Sequence, residues 1–360
     1  MLPNLIKDTK RGKKEEMAID KTLLHKLITA YGVSGNEEEV RDIIRQAIKP
    51  YVDEVFIDRM GNLIGIKKGD KPRIMLAAHM DEVGLMVKRI GEKGFIYCTY
   101  IGDVDTLTIV GLTAHIKTAK AKLHGVITTA EISAGKLNKE VPKKEEVIID
   151  TGLSRKRLEE LGVEIGTYVA LENFSCCFGN EDLIFGKALD DRTGCYVLIE
   201  MAKRLKKIKN KAEIYYVFTV QEEIGLRGAK ASAFNLHPDW GVVVDTTYAN
   251  DSFAEPSRFL DKGPCITIKD GEFISNKCIN GWLRDAAKKR KIPYQLEAVE
   301  EGSTDAATIQ TTAGGIPSSV LCIPIRNIHT SIGVASLKDI EATILILEEL
   351  LKKPPLVCLV

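Results

Sequence analysis

No run of apolar residues approaches the roughly 18 needed to span a bilayer. Charge of one sign is equally scarce: 51 Lys and Arg stand against 50 Asp and Glu, a formal net charge of +1. That balance supplies no broad electrostatic footprint for nucleic acid or an anionic membrane. The eight cysteines form no CxxC pair and no disulfide-dense framework; the expectation is reduced thiols in a cytoplasmic protein. No GxxxxGK[ST] or GxGxxG follows a strand-like run, so nucleotide binding has no support. A GxSxG nucleophile elbow is missing too. Residues 1–16 are basic and polar and lack the apolar stretch of a secretion signal, so residues 1–19 are expected to form a loose extension.

What is present is globular. Hydrophobic residues make up 44% and charged residues 28%, enough apolar surface for sizeable cores without covalent staples. A chain of 360 residues suggests about two or three domains. Asp20 is a plausible N-cap for the helical spacing of Leu23, Leu24, Leu27 and Ile28. Ser34-Gly35-Asn36-Glu37 reads as a capping box for a helix carrying Val40, Ile43, Ile44, Ala47 and Ile48. Residues 52–57 and 62–66 look like paired strands, and residues 74–78 like a buried one.

Residues 84–179 differ in texture. Short β-type stretches at 85–90, 94–100, 108–110, 113–117, 125–129 and 168–171 alternate with turns, and only 154–161 reads as helix. This is the pattern of a small barrel or sandwich inserted into a larger domain. From residue 180 helix and strand alternate again: helices at 191–207, 228–234, 276–289 and 337–351, strands at 213–220, 240–244 and 318–323. The expected fold is α/β. Residues 20–83 and 180–360 would form one discontinuous domain around a mainly parallel mixed sheet with helices on both faces, interrupted by the β-rich insert.

Open α/β sheets bind ligands beyond the carboxyl ends of their strands, so the residues following each apolar run matter most. His79 and Asp81 follow 74–78, Glu222 and Glu223 follow 214–220, Asp245 follows 241–244, and His329 lies a short loop beyond 320–323. Asp190 stands just before the helix at 191. Two imidazoles with several carboxylates suit Zn²⁺, Co²⁺ or Mn²⁺. Five ligands exceed what one tetrahedral catalytic ion accepts but suit two ions about 3.5–4 Å apart sharing a carboxylate. Asp190 is the choice for that bridge, being short and held at a helix start. Asp81 points the same way as His79 and can orient its ring. Of Glu222 and Glu223, one can bind metal while the other moves a proton. Taken singly, each has an ordinary explanation: a hydrogen-bonded core histidine, a helix cap at Asp190-Asp191, a solvated pair at 222–223, an Asx turn at Asp245. Together, at equivalent topological points, they make one site the simpler reading. His25, His115, His124 and His237 are assigned no chemistry, and Cys195 is read as packing.

Three ordered stretches carry a resemblance: Ala78-His79-Met80-Asp81-Glu82-Val83-Gly84, Ala188-Leu189-Asp190-Asp191-Arg192-Thr193-Gly194, and Gln221-Glu222-Glu223-Ile224-Gly225-Leu226-Arg227-Gly228-Ala229. Over residues 20–351 the chain resembles the tetrahedral (TET-type) dinuclear metallo-aminopeptidases, a family whose members have also carried the label cellulase or endoglucanase. The resemblance implies a zinc-exopeptidase-like domain, a PDZ-like dimerisation insert, and dimers assembling into a tetrahedral dodecamer. It implies that His79 and His329 each bind one divalent ion, zinc or cobalt before manganese, that Asp190 bridges them, and that Glu223 and Asp245 complete the shells. Glu222 would be the general base for a two-metal-activated water and Asp81 would orient His79. His329 is followed by Thr330, where many relatives carry serine.

The implied activity is removal of N-terminal residues from peptides, with a lean to neutral, aliphatic first residues because no charged pocket partner is identifiable. Three rivals remain at this stage. A glycosidase would need two opposed carboxyl groups and no metal, which leaves the histidines without a purpose. A deacylase or carboxypeptidase would use the same metals on another amide. A shell-forming scaffold with a degenerate site would not need every ligand and the base in place.

Overall fold

The computed structural model describes residues 19–136, 140–171, 175–177 and 180–356. All but Ile19 of the expected N-terminal extension therefore lies outside the described residues, as do the side chains of Cys176 and Cys177. The chain opens with helices α1 (Lys21–Thr29) and α2 (Glu38–Ile48), followed by strands β1 (Glu54–Ile57), β2 (Leu63–Lys67) and β3 (Asp70–His79). A β-rich stretch then runs β4 (Gly84–Ile90), β5 (Ile96–Ile101), α3 (Thr106–Ile109), β6 (Thr113–Lys117), β7 (Lys122–Thr129), α4 (Ala130–Ser133), β8 (Val147–Asp150), α5 (Arg155–Glu160) and β9 (Tyr168–Leu171). After it come β10 (Ser175–Cys177), β11 (Leu183–Gly186), α6 (Leu189–Leu205), β12 (Ala212–Thr219), α7 (Arg227–Leu236) and β13 (Trp240–Tyr248). The last third holds β14 (Cys265–Lys269), α8 (Lys277–Arg290), β15 (Gln295–Ala298), α9 (Asp305–Gln310), β16 (Ser318–Arg326), β17 (Gly333–Ser336) and α10 (Leu337–Lys352).

The large sheet has eleven strands in the order β1-β2-β12-β3-β13-β16-β17-β11-β10, with β14 pairing β16 and β15. Its centre, β12-β3-β13-β16, is parallel, while the flanking strands pair antiparallel. Alternation along β3 sends Ile74, Leu76 and Ala78 into the core beneath α1, α2, α6, α8 and α10. Met75 and Ala77 enter the opposite core, beneath α7 and α9. Both faces are covered, which is why these strands read as unbroken apolar runs. Strands β4 to β9 close on themselves as the barrel β4-β5-β8-β7-β6-β9, antiparallel throughout, around a hydrophobic cluster of its own. The expected α/β class with an added β-barrel is what the chain forms.

Local departures have local causes. Thr108, Ile109 and Val110 are β-branched and read as strand, yet Thr106–Ile109 is a turn of helix because Asp105 accepts the Leu107 N–H at 2.7 Å. The Ser34 motif does not cap α2, whose N-cap residue is Glu37 and has no side-chain cap bond. Cys98, Cys195, Cys265 and Cys322 are free, but Cys278 is disulfide-bonded, which corrects the all-thiol expectation: sequence spacing does not say which cysteines meet in space. Among the described residues no helix is long and apolar enough to cross a membrane.

A buried ion pair ties the segment after β3 to the turn before α6, with a hydrogen bond to the end of α1. Lys187 Nζ donates to both Glu82 oxygens (2.7 and 2.8 Å) and to the Ala30 carbonyl (3.0 Å), all buried. Removing one partner of a buried pair strands the other charge at a cost of about 3–5 kcal/mol. Lys187→Ala is therefore expected to lower the melting temperature by on the order of 10 °C, with the buried Arg192, 3.7 Å from the same carboxylate, left as the remaining cation beside Glu82. A Lys187→Ala melt within about 2 °C of wild type would show that the pair is not what holds this junction.

Candidate metal centre

The parallel centre of the sheet brings the chemistry together. His79 is the last residue of β3, Asp245 lies within β13, Glu222 and Glu223 follow β12, and His329 lies between β16 and β17. These four strands are neighbours, so their carboxyl ends line one cleft, and the start of α6 delivers Asp190 to it. The Asp190–Asp191 peptide is cis.

Asp190 stands between the two histidines. Its Oδ1 is 3.1 Å from His79 Nε2 and its Oδ2 is 3.4 Å from His329 Nε2. His329 Nε2 is also 3.4 Å from Glu223 Oε2, and His79 Nε2 is 3.8 Å from Asp245 Oδ1. Ligand atoms of His79, Asp190 and Glu223 all lie within 4.8 Å of one another, as do those of His79, Asp191 and Asp245. All five expected ligands are thus gathered. Asp81 sits beneath them: His79 Nδ1 is 3.2 Å from its carbonyl oxygen and 3.6 Å from its carboxylate, so the carbonyl is the nearer acceptor for that N–H. The Asp81 carboxylate accepts the N–H groups of Glu222 (3.0 Å) and Glu223 (3.2 Å) and the Ser34 hydroxyl (2.6 Å).

Two buried carboxyls escaped the sequence reading. Asp191 accepts the Gly194 N–H through Oδ1 (2.9 Å), the cap-like bond expected at a helix start, while its Oδ2 has no partner. A Cβ at Gly194 would lie 2.4 Å from that carboxylate, so only glycine fits there. Asp305, at the start of α9, accepts the Thr219 hydroxyl through Oδ2 (2.5 Å) and leaves Oδ1 unpaired. The Asp190-Asp191 doublet was a signal for the first; nothing in the pattern marked the second.

The electrostatics are lopsided. Seven carboxyls (Asp81, Asp190, Asp191, Glu222, Glu223, Asp245 and Asp305) crowd two imidazoles in buried space. Burial pushes Asp190 up, but hydrogen bonds from His329 and His79 outweigh it and hold this carboxyl well below its usual range. Burial, reinforced by neighbouring carboxylates, raises Asp191, Glu222 and Asp245, moves Glu223 to about 7 and moves Asp305 to about 6. Burial pulls His329 down, yet its hydrogen bond to Asp190 and the Glu223 charge carry it to about 9. A pocket so rich in anionic donors, with unpaired oxygens facing inward, fits divalent cations.

Comparison with known proteins agrees. Residues 61–346 match the family described as M42 glutamyl aminopeptidase. The chain belongs to the M42 aminopeptidase family. The lysyl aminopeptidase of Pyrococcus furiosus is 35% identical over 345 residues, covering 93% of this chain and 97% of that protein. Among solved structures, the aminopeptidase APDkam598 from Desulfurococcus kamchatkensis superposes with a TM-score of 0.88 at 33% identity, covering 92% of this chain and 94% of the other. The Pyrococcus horikoshii TET1 peptidase, which can assemble into a tetrahedron or a large octahedral shell, gives 0.84 at 28% identity over 92% and 98% of the two chains. This M42 chain is accordingly a metal-dependent aminopeptidase, a hydrolase of peptide bonds, and the carboxylate-rich pocket is where its metal chemistry has suitable donors.

Proposed function

We propose that the M42 chain removes N-terminal residues from peptides with two divalent ions held across Asp190. The observation that carries this reading is the division of the Asp190 carboxylate, one oxygen toward each imidazole. His79 and Asp245 complete one ligand set, His329 and Glu223 the other, and Asp81 orients His79 from below. Zinc or cobalt suits these donors best, with manganese also compatible. Bound there, the cations would polarise the scissile carbonyl and acidify water. Glu222 takes the proton from the attacking water and passes it to the leaving amine. The surplus of carboxylates favours a substrate bearing a free α-ammonium, hence action at the N-terminus.

Beside Asp190 and His329 the cleft is lined by Val83, Leu171, Leu189, Ile325 and Ile328, with the polar Glu82, Asn327 and Thr330 among them. The one lysine in that lining, Lys187, spends its ammonium on Glu82 and Ala30. The aliphatic share of this lining, with its lysine already paired, is what supports a neutral, aliphatic first residue such as leucine. We extend the reading to the chain's organisation: residues 20–83 and 180–360 carry catalysis, and the insert at 84–179 mediates dimerisation. Dimers then assemble into a tetrahedral dodecamer, supported by the shell-forming P. horikoshii relative, and the compartment proposed is the cytoplasm.

Aminoacyl-p-nitroanilides of different side-chain classes, assayed with and without a chelator and alongside carboxymethylcellulose, test this directly. Hydrolysis of the leucyl substrate is expected to fall at least 100-fold on chelation and to return with Zn²⁺ or Co²⁺, a drop of the size that loss of metal catalysis entails. Chelator-resistant release of reducing sugar, with no aminoacyl hydrolysis, would replace this assignment with a glycosidase.

A further inference from the structure

The Ser34-Gly35-Asn36-Glu37 motif, whose side chains make no cap bond to α2, packs against the site. Ser34 and Glu37 are both buried. The segment is zipped to the end of β3 by a parallel bridge between Val33 and Glu82, with Ser34 N–H donating to the Glu82 carbonyl (3.2 Å) and Glu82 N–H to the Gly32 carbonyl (2.9 Å). From the barrel side, the Tyr168 hydroxyl donates to the Gly35 carbonyl at 3.1 Å. Gly35 has φ +91°, and a Cβ there would lie 2.6 Å from the Tyr168 oxygen, so glycine is required twice over. The motif is held rigidly from two directions.

What it holds in turn is the segment after β12. Gln221 has φ +57° although it is not glycine, so the chain turns sharply just before the two glutamates. Glu37 accepts the Gly35 N–H at 2.6 Å. The next two N–H groups, of Glu222 and Glu223, enter the Asp81 carboxylate, whose Oδ2 receives the Ser34 hydroxyl at 2.6 Å. Two consecutive backbone amides are therefore tied to one buried carboxylate, a concave anion-binding arrangement following a left-handed residue. Adjacent glutamates must diverge here, only Glu223 facing His329, and a backbone fixed at two successive amides enforces that divergence.

We propose that Ser34 and Glu37 are positioning residues for the catalytic turn: Ser34 through the Asp81 carboxylate, Glu37 by holding the Gly35 turn that presents Ser34. This rests on the reading of Glu222 as the base. The test uses the full chain loaded with Zn²⁺ or Co²⁺, in Ser34→Ala, Ser34→Thr and Glu37→Ala forms. Steady-state kinetics, metal content, melting temperature and amide hydrogen exchange at residues 221–223 are measured for each. Loss of a supporting hydrogen bond of this kind typically costs 10- to 100-fold. Ser34→Ala is expected to lower kcat by that factor with KM within about twofold, to keep its metal, and to speed exchange at 221–223 about tenfold. Ser34→Thr, which keeps the hydroxyl, restores most of the rate. If Glu37→Ala does not fold, Ser34→Ala decides alone. Unaltered exchange in Ser34→Ala, whatever its rate, overturns the proposal. Quickened exchange beside a fully active Glu222→Gln keeps the clamp and removes only the base assignment beneath it.

Discussion

Glu222→Gln is expected to fold, bind its full complement of metal and lose turnover by on the order of 10³-fold, within the range general-base catalysis contributes. The substitution is close to isosteric, and the backbone N–H that Glu222 gives to Asp81 survives it. What disappears is the ability to accept a proton. Glu222 belongs to neither set of clustered ligand atoms, whereas its neighbour Glu223 belongs to one and faces His329. Burial foremost, with Asp245 adding to it, raises the Glu222 carboxyl. Cations would draw it back toward ionisation by the ordinary effect of opposite charge. The decisive measurement pairs kcat with elemental analysis of the same preparation. A variant that keeps kcat within tenfold of wild type dismisses Glu222 as base. One that loses an ion makes Glu222 a ligand and passes the base role to Glu223.

The sequence made one half of this argument available before any coordinates. Apolar runs at 74–78, 214–220 and 241–244 mark central strands because both faces of the sheet are covered, and polar residues ending such runs must emerge at one edge. That logic reaches His79, Glu222, Glu223 and Asp245 without a template. Deciding between Glu222 and Glu223 was beyond it, because adjacent residues leaving a strand are separated by a backbone turn, here at Gln221, that composition does not encode. The same limit hid Asp305, whose link to the site is a single hydrogen bond from Thr219. Ser34 misled for a related reason. A serine three residues before a glutamate satisfies the capping pattern, but a carboxylate 47 residues away along the chain offers its hydroxyl a better partner. Short strands such as β15 and β17 escaped as well, because four residues carry too little periodicity to stand out.

Asp190→Ala carries the largest expected loss, because one carboxylate serves both halves of the site. His79→Ala and His329→Ala each remove a ligand from a single proposed set, so each is expected to hold about one ion per chain where wild type is proposed to hold two. Asp190→Ala removes a donor from both sets at once. It leaves His79 with Asp245 and His329 with Glu223, fewer than the three protein ligands that a catalytic zinc ion keeps. Metal content should therefore fall close to zero and turnover with it. A second readout needs no substrate. Cations that bind only the folded state raise its melting temperature by mass action, so wild type melts higher as Zn²⁺ or Co²⁺ is added and Asp190→Ala does not. Acidification acts on wild type in the same direction. Binding must displace protons from His329, carried up to about 9, and from Glu223, moved to about 7, so metal affinity falls as pH drops through and below neutrality. Retention of two ions by Asp190→Ala, with an undiminished thermal shift, would move the bridge elsewhere, and Asp191, one residue along with an unpaired oxygen, is where it would have to go.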